Sequence, residues 1–436
     1  MQVVGQVPRA AGPMVREVAS SRPLVAQFRS HAGPRADGSG TSSSLKGEVQ
    51  GGWERLTEGP SALDLELTLP GGQAFRWSRT GRSGEWAGVV HGHPVLLRQD
   101  GAESATRGVE FRAVPPLPSS APGAGTRRPP LRAALEDYFA LSTDLDALGA
   151  RFSQADSRFA DIFPYLRGSR ILRQEPTEAL MAFICSSNNN IARISGMVAH
   201  LAAAYGDPVG TAPAGDIALH AFPTAEQMLA RGLNEEDLRR NGFGYRAKYV
   251  DRAVRQLASR EGGSVKYLES LRAMPLGEAH AALLELDGVG PKVASCVCLF
   301  ALDKPEAVPV DVHVLRLTVQ HYLPDIGGKS LTPTVYEAIQ EFYREKFGDH
   351  AGWAQGILFA AELGMHRDRL PEHLRRELPP REKPKKAKRK QEEGGDAGEG
   401  AGGGALKAKP STKVKQPKRA KEEMQGAPPR RRIRTS

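Results

Sequence analysis

Cysteine is scarce in this chain, with three residues among 436, at positions 185, 296 and 298. Three thiols cannot build the disulfide framework of a small secreted domain, and they indicate a reduced, intracellular setting. They also fall short of the four that hold an iron–sulfur cluster, and we expect no metal and no other cofactor. Long apolar runs are missing as well, so the sequence predicts no membrane-spanning helix and no membrane partner.

Excess positive charge is absent from most of the chain, although the net charge of the whole is +10. Residues 381–436 hold 18 Lys/Arg against 7 Asp/Glu, so residues 1–380 carry about −1. The basic isoelectric point therefore belongs to the C-terminal tail. Any surface of the body that binds nucleic acid must be a local basic patch.

Both ends of the chain have too few apolar residues to build a core. Residues 371–436 are rich in Gly, Lys, Pro and Ala and predict a disordered basic tail. Its basic runs at 383–390 and 430–434 are typical of nuclear-import signals or nonspecific DNA contacts; a merely solubilising tail is the alternative. Residues 1–50 predict a disordered extension whose arginines faintly resemble a mitochondrial transit peptide. We expect a nuclear protein, with a mitochondrial pool or isoform as the open alternative.

The region 51–145 alternates between apolar and polar residues and predicts an antiparallel sheet domain. Its predicted strands are 65–69, 89–97 and 108–112. A Pro/Gly/Ser-rich stretch at 114–130 predicts a flexible surface insert in this domain. From Leu131 onward the pattern is helical, and residues 146–370 predict a helical body. The fold class is therefore α+β, with an antiparallel sheet packed on a two-part helical body and a site in the cleft between its parts.

Residues 286–292, Leu-Asp-Gly-Val-Gly-Pro-Lys, predict a tight hairpin between two helices at about 276–303. Gly288 and Gly290 allow a turn in which backbone N–H groups can approach a phosphate. Pro291 suits the first position of the second helix, where its missing N–H is not needed. Taken alone, such a hairpin is more often a non-catalytic phosphate clamp.

Lys292 follows in the first turn of that second helix, where the positive end of the helix dipole disfavours an ammonium ion. A buried amine in such a place can become a nucleophile near neutral pH. Asp311, nineteen residues further on, precedes an apolar helical run and predicts an N-cap. Singly, the lysine would be a solvated side chain and the aspartate only a cap. A phosphate hairpin, an amine and a capped carboxylate together suggest DNA base excision.

Five blocks between about residues 52 and 365 narrow this interpretation; they are 72–77, 183–194, 244–247, 288–313 and 352–355. In this order and spacing they resemble the eukaryotic 8-oxoguanine DNA glycosylase/AP lyase family of the helix-hairpin-helix superfamily. The run Asn-Asn-Asn-Ile-Ala-Arg at 188–193 is the most specific part; the hairpin alone would indicate only the superfamily. The resemblance implies a base excision repair enzyme that removes 8-oxoguanine opposite cytosine from duplex DNA and then cuts the strand by β-elimination.

The resemblance also implies the catalytic residues. Lys292 would attack C1′ of the damaged nucleotide, and Asp311 would stabilise the positive charge that grows on the sugar. Only a lysine or a terminal amine can both displace the base and form the imine that leads to strand cleavage, so a lyase activity is expected too. His313 is left open between a phosphate contact and a residue that merely satisfies the helix start.

A pocket for the damaged base follows from the same resemblance, and Asp311 borders it. The Gly72 carbonyl would accept a hydrogen bond from N7–H, which 8-oxoguanine has and guanine lacks. Phe359 and Cys296 would sandwich the base, Gln355 would read its Watson–Crick edge, and Pro309 would shape the wall. Without the resemblance, Phe359 and Cys296 would be ordinary core residues.

DNA contacts are implied at a second group of positions. Asn188 would fill the space left by the flipped nucleotide, and Tyr245 would wedge the neighbouring stack. Arg193 and Arg246 would donate to the O2 and N3 acceptors of the abandoned cytosine. The remaining predicted DNA contacts are Gly288, Gly290, Val293 and His313. On composition alone, three successive asparagines indicate a turn or capping cluster.

Two positions depart from the family pattern, Phe300 where methionine is frequent and Glu362 where aspartate is frequent. The competing enzyme is a sister glycosylase that carries an iron–sulfur cluster, which the cysteine count disfavours. The competing non-enzyme is a module that only clamps phosphates. The expected partner is double-stranded DNA containing oxidised guanine, bound by a monomer, with downstream repair proteins as further candidate partners.

Overall fold

The computed structural model describes residues 52–375, apart from residue 60 and the stretches 100–107, 116, 118–127 and 214–215. The expectations for residues 1–50 and 376–436, and for most of the insert at 114–130, lie outside the described residues. Residues 372–374 were assigned to the tail but form a 3-10 turn, because Leu374 packs on the helical core. No described helix is long and apolar enough to cross a bilayer.

An antiparallel five-stranded sheet forms the N-terminal part, in the order β1-β5-β4-β3-β2. The strands are β1 Glu54–Arg55, β2 Ser78–Arg79, β3 Glu85–Val90, β4 His93–Arg98 and β5 Glu110–Ala113. Alternate side chains of the central strands enter different cores: Val95 and Leu97 pack with the helix α2, Leu131–Tyr138, whereas Leu96 packs with a hairpin at 208–220. Because both faces are covered, the central strands are apolar at almost every position.

One predicted strand, 65–69, was wrong, and a second, 89–97, is divided between two strands of the sheet. Residues 89–97 form the β3–β4 hairpin, because His91 (φ 47°) and Gly92 (φ 78°) adopt the left-handed conformation of a two-residue turn. Leu65–Thr68 form a four-residue helix, α1, which ends at its C-cap Leu69 and whose N-cap Asp64 accepts from Leu67 N at 2.9 Å. Alternating leucines also suit one helical turn in which Leu65, Leu67 and Thr68 are all buried. The third strand, predicted at 108–112, is β5, two residues later.

Helices predominate from Leu131 onward in the described chain, as predicted, but a β-hairpin means that the body is not all-helical. Their bounds are α1 Leu65–Thr68, α2 Leu131–Tyr138, α3 Leu145–Ala155, α4 Ser157–Ile162, α5 Pro176–Ser186, α6 Ile191–Tyr205, α7 Ala225–Ala230, α8 Glu235–Arg240, α9 Arg246–Ala258, α10 Gly263–Ser270, α11 Leu276–Leu284, α12 Pro291–Ala301, α13 Val312–His321, α14 Pro333–Phe347 and α15 Ala351–Glu362. A hairpin of β6 Pro208–Ala212 and β7 Ile217–His220 interrupts them and covers the outer face of the sheet.

Local chemistry explains where these helices begin. Proline occupies the first turn of α5, α12 and α14, where an N–H would have no intrahelical acceptor. Side chains of aspartate, asparagine or threonine cap many of the others, and Thr224 with Gln227 forms a full capping box at α7. The fixed starts of α5, α12 and α13 matter most, because these three helices surround the site.

Candidate active site

A cavity of about 600 Å3 opens where the segment 71–75, which connects α1 to β2, meets helices α5, α12, α13 and α15. The residues predicted for catalysis and base recognition all line it: Gly72, Lys292, Cys296, Pro309, Asp311, Gln355 and Phe359, and His313 lines it too. The fold thus brings together side chains from both ends of the described chain. Its volume is in the range of small-molecule sites.

The Gly72 segment is fixed to the helical body by the next residue. Gln73 is buried, and its amide donates to Arg170 O at 2.8 Å and accepts from Leu172 N at 2.9 Å. Gln174 Nε2 donates to the Gln73 carbonyl at 2.8 Å. Gly72 itself has φ +85°, a conformation that favours glycine. Gly72 is therefore held at the cavity wall by the hydrogen bonds of its neighbour Gln73.

The helix-hairpin-helix consists of α11, the turn 285–290 and α12. Gly288 has φ +82°, and a Cβ there would lie 2.5 Å from Cβ of Tyr249. Gly290 differs, because its φ is −100° and a Cβ added there would meet nothing within 4 Å. Gly288 is thus required by the turn, whereas Gly290 leaves open space over the first turn of α12. The side chain of Val293 is buried, so a contact from Val293 to DNA would have to use its backbone N–H.

Replacing Gly288 by alanine should lower the free energy of unfolding by about 2 kcal/mol or more. Alanine would have to adopt a left-handed φ, and its Cβ would clash with the side chain of Tyr249. Gly290→Ala is the matched control and should cost less than about 1 kcal/mol, the loss of a weak N-cap. Urea unfolding of the two variants measures the difference. Equal losses would show that the hairpin tolerates a side chain at Gly288.

Lys292 lies in the first turn of α12, and its Nζ is 5.3 Å from the ring centroid of Phe183 on α5. The nearby Cys296 is 2% exposed. Burial raises the pKa of the Cys296 thiol, and the adjacent Lys292 opposes that rise only in part, while Asp311 adds to it. Cys296 therefore presents a neutral thiol to the cavity at neutral pH.

Asp311 caps α13, as predicted. Its Oδ1 accepts from His313 N at 2.9 Å and Val314 N at 3.0 Å. Both bonds use the same oxygen, and Oδ2 takes part in neither. The His313 ring is exposed at the cavity, with Nδ1 2.9 Å from Arg316 and its centroid 6.5 Å from that of Phe359. The carboxylate is thus oriented by backbone that a substitution to asparagine would preserve.

Helix α15 and the turn before α13 form the opposite wall. Gln355 is 4% exposed and Pro309 is buried, while Phe359 is half-buried and turns part of its ring to the cavity. Phe359 and Cys296 come from different helices, and both border the space that a flat ligand would occupy. An amide at Gln355 supplies both a donor and an acceptor to such a ligand.

The asparagine run connects α5 to α6 and has both structural and exposed members. Asn190 caps α6 by accepting from Arg193 N at 3.0 Å, and Asn189 Nδ2 donates to Cys185 O at 2.9 Å. Asn188 has φ 47° and is exposed at the tip of the loop. Two of the three asparagines therefore stabilise the turn through hydrogen bonds, and Asn188 is the one that is exposed at its tip.

The start of α9 holds this loop. Tyr245 Oη donates to Ser187 O at 2.9 Å, and Arg246 donates from Nε to Ser187 O at 3.0 Å and from a terminal nitrogen to Asn188 O at 2.8 Å. Arg246 is 2% exposed, whereas Tyr245 is 48% exposed. Arg193 is exposed and donates to Gly242 O at 2.8 Å. These four predicted DNA contacts lie together, outside the lining of the cavity.

The sequence analysis gave no role to several cavity residues. Phe183 and Phe75 lie on its lining with Phe300, and Arg170 and Glu362 contribute charged groups. Phe183 lies inside a matched block, but it is one apolar residue of an apolar helix. No local pattern distinguishes it from its neighbours, and only the tertiary contact with Lys292 does so.

Comparison with known proteins agrees with this geometry. Residues 55–180 match the family described as 8-oxoguanine DNA glycosylase, N-terminal domain, and residues 181–342 match the HhH-GPD superfamily base excision DNA repair proteins. The N-glycosylase/DNA lyase OGG1 of Arabidopsis thaliana is 41% identical over 71% of this chain and 80% of its own. The N-glycosylase/DNA lyase of Saccharomyces cerevisiae is 35% identical over 71% of this chain and 86% of its own.

Solved structures show the same fold. The Clostridium acetobutylicum 8-oxoguanine glycosylase/lyase, in complex with double-stranded DNA containing cytosine opposite 8-oxoguanine, has a TM-score of 0.56 and 28% identity over 69% of this chain and 91% of its own. A structure titled MBOgg1 in complex with a low-affinity DNA ligand has a TM-score of 0.58 and 27% identity over 74% of this chain and 99% of its own. The chain therefore belongs to the 8-oxoguanine DNA glycosylase family and is an N-glycosylase/DNA lyase of the helix-hairpin-helix base excision repair superfamily.

Proposed function

We propose that this DNA glycosylase/lyase excises 8-oxoguanine paired with cytosine in duplex DNA, using Lys292 as nucleophile. The observation that carries the proposal is the single cavity that Lys292 and Asp311 share with Gly72, Gln355 and Phe359. The Clostridium relative was solved with the same lesion and the same opposite base. A nucleotide inside a duplex reaches such a cavity only by flipping out of the stack.

Recognition of the lesion depends on one hydrogen bond that guanine cannot make. The Gly72 carbonyl, held by the Gln73 contacts, would accept from N7–H of 8-oxoguanine. Guanine has a lone pair at N7, so two acceptors would face each other in a buried site, at a cost of about 1–3 kcal/mol. Phe359 and the neutral Cys296 thiol would stack on either face of the base.

The chemistry needs an amine and a carboxylate at the sugar. Lys292 Nζ, once deprotonated, bonds to C1′ while the C1′–N9 bond breaks, and the base leaves with the electron pair and takes up a proton. Ring opening gives an imine between Nζ and C1′. Loss of a C2′ proton then expels the 3′ phosphate, which is β-elimination. Asp311 Oδ2 would stabilise the positive charge on the sugar in the first step.

The identity of the opposite base would be read outside the cavity. Asn188, at the tip of its loop, would enter the space vacated by the lesion, with Tyr245 beside it. Arg193 and Arg246 donate hydrogen bonds and cannot accept them, which suits O2 and N3 of cytosine. Arg246 donates to the carbonyls of residues 187 and 188 and is 2% exposed, so the loop would have to move before a base could reach this guanidinium.

Arg193→Ala should therefore slow excision opposite cytosine more than opposite adenine, because adenine presents a donor amine among its acceptors. The expected loss is about 5- to 150-fold on lesion:C duplexes, equivalent to about 1–3 kcal/mol. Arg246→Ala should likewise reduce the difference in excision rate between lesion:C and lesion:A duplexes. It should also lower the free energy of unfolding, since two carbonyls lose their donor. Single-turnover rates on 8-oxoguanine opposite each of the four bases, with borohydride trapping of the imine, make the test.

Arg344→Ala is the control for a surface guanidinium, because Arg344 lies on α14 and pairs only locally with Glu341. It should change neither rate. Equal slowing of Arg193→Ala on lesion:C and lesion:A would mean that this arginine holds a phosphate, and the preference for cytosine would need another source. Absence of trapping on every duplex with the unaltered protein would contradict the proposed function itself.

A further inference from the structure

One face of α12 carries three side chains of different chemistry. Lys292, Cys296 and Phe300 follow one another at four-residue spacing, so they project on the same side of the helix and all line the cavity. Opposite them stands Phe183 of α5, which is 2% exposed. Lys292 Nζ is 5.3 Å from the Phe183 ring centroid, and the Phe300 ring stacks on Phe183 at 5.4 Å and 16°.

The Phe183 ring is fixed from a second direction. Phe75 meets it edge-on, with centroids 5.9 Å apart and an interplanar angle of 78°. A ring held by one stack and one edge contact keeps a single orientation, here with a π face toward the amine of Lys292. An ammonium within about 6 Å of such a face is attracted by the ring quadrupole, and more strongly when water is excluded.

We propose that Phe183 is a positioning residue for Lys292, whose ring face holds the ammonium at the floor of the cavity and stabilises it until its proton is removed. The inference rests on the proposed function, in which the neutral amine attacks C1′. The ring keeps Nζ directed into the cavity before a base arrives.

Removing the π face should therefore lower the pH at which base release reaches half its maximal rate. A cation–π contact of ordinary strength corresponds to a shift of about 0.5 to 1.5 pH units. Other titratable or charged groups that line the cavity are Arg170, Cys296, Asp311, His313 and Glu362. Arg170 donates to backbone carbonyls of residues 62, 140 and 143, and Glu362 pairs with Arg158, so these contacts do not involve Phe183.

The test is the acid limb of the pH–rate profile for base release under single-turnover conditions, measured with the full chain on an 8-oxoguanine:cytosine duplex. Phe183→Leu should move the midpoint down by the stated amount. Phe152→Leu is the matched control, because Phe152 is fully buried among other aromatics and does not contact Lys292. It should lose stability without any movement of the midpoint.

Phe183→Met fills more of the space without a ring and gives the same test if the leucine variant does not fold. The shift should persist in a His313→Gln background, which removes an imidazole from the cavity wall. An unmoved midpoint in the Phe183 variants, or an equal shift in Phe152→Leu, would overturn the proposal. Base release by Lys292→Gln would instead contradict the proposed function, in which Lys292 is the nucleophile. Different variants therefore test the role of Phe183 and the proposed function.

Discussion

Lys292→Gln is expected to abolish base release and imine trapping while leaving binding to lesion-containing DNA largely intact. Glutamine has a similar length and keeps a polar end, but its amide nitrogen is not a nucleophile. Since Lys292 is the second residue of α12 and glutamine is a good helix former, the helix and the cavity should tolerate the change. The loss should therefore be in chemistry and not in folding.

Two measurements separate these effects. Borohydride trapping and single-turnover base release report the chemistry, and a binding titration on the same duplex reports recognition. Lys329→Gln is the control for loss of a lysine charge, because Lys329 is exposed outside the cavity lining. It should keep full activity. Strand cleavage by Lys292→Gln at a near-normal rate would show that Lys292 is not the nucleophile.

The residues assigned to one pocket from the sequence line one cavity. They could be chosen because they lie in blocks whose identity and order resemble one family. Asp311 as a helix cap followed from local chemistry alone and was confirmed. The position of Gly72 at the cavity did not follow from any local pattern, since it depends on the long-range contacts of Gln73. The resemblance, and not periodicity, placed these residues in one pocket.

Other features could not be predicted because they depend on tertiary contacts. The leucines at 65–69 alternate like a strand, yet their burial on all sides and the Asp64 cap favour one helical turn. Arg246 was predicted to contact cytosine, but nothing in the sequence indicated that two backbone carbonyls would hold it. The Phe183 ring next to Lys292 is a third example.

Asp311→Asn is expected to slow base release by about 100- to 1,000-fold, the usual contribution of a preorganised electrostatic group. Asparagine can keep both backbone hydrogen bonds through its own Oδ1, so the start of α13 should be unchanged. What it loses is the negative charge on Oδ2, where an amide that carries donor hydrogens would face a developing cation. A large loss of rate with an unchanged free energy of unfolding would thus assign the effect to charge.

Asp144→Asn is the matched control, since Asp144 caps α3 through its Oδ1 in the same manner but lies away from the cavity. It should leave the rate unchanged, as should any substitution that affects only a cap. Asp311→Ala should add a loss of about 1 kcal/mol in stability to the loss of rate, because the cap is removed as well. Full activity in Asp311→Asn would reduce Asp311 to a helix cap, and the stabilisation of the sugar cation would then have to come from another group at the cavity.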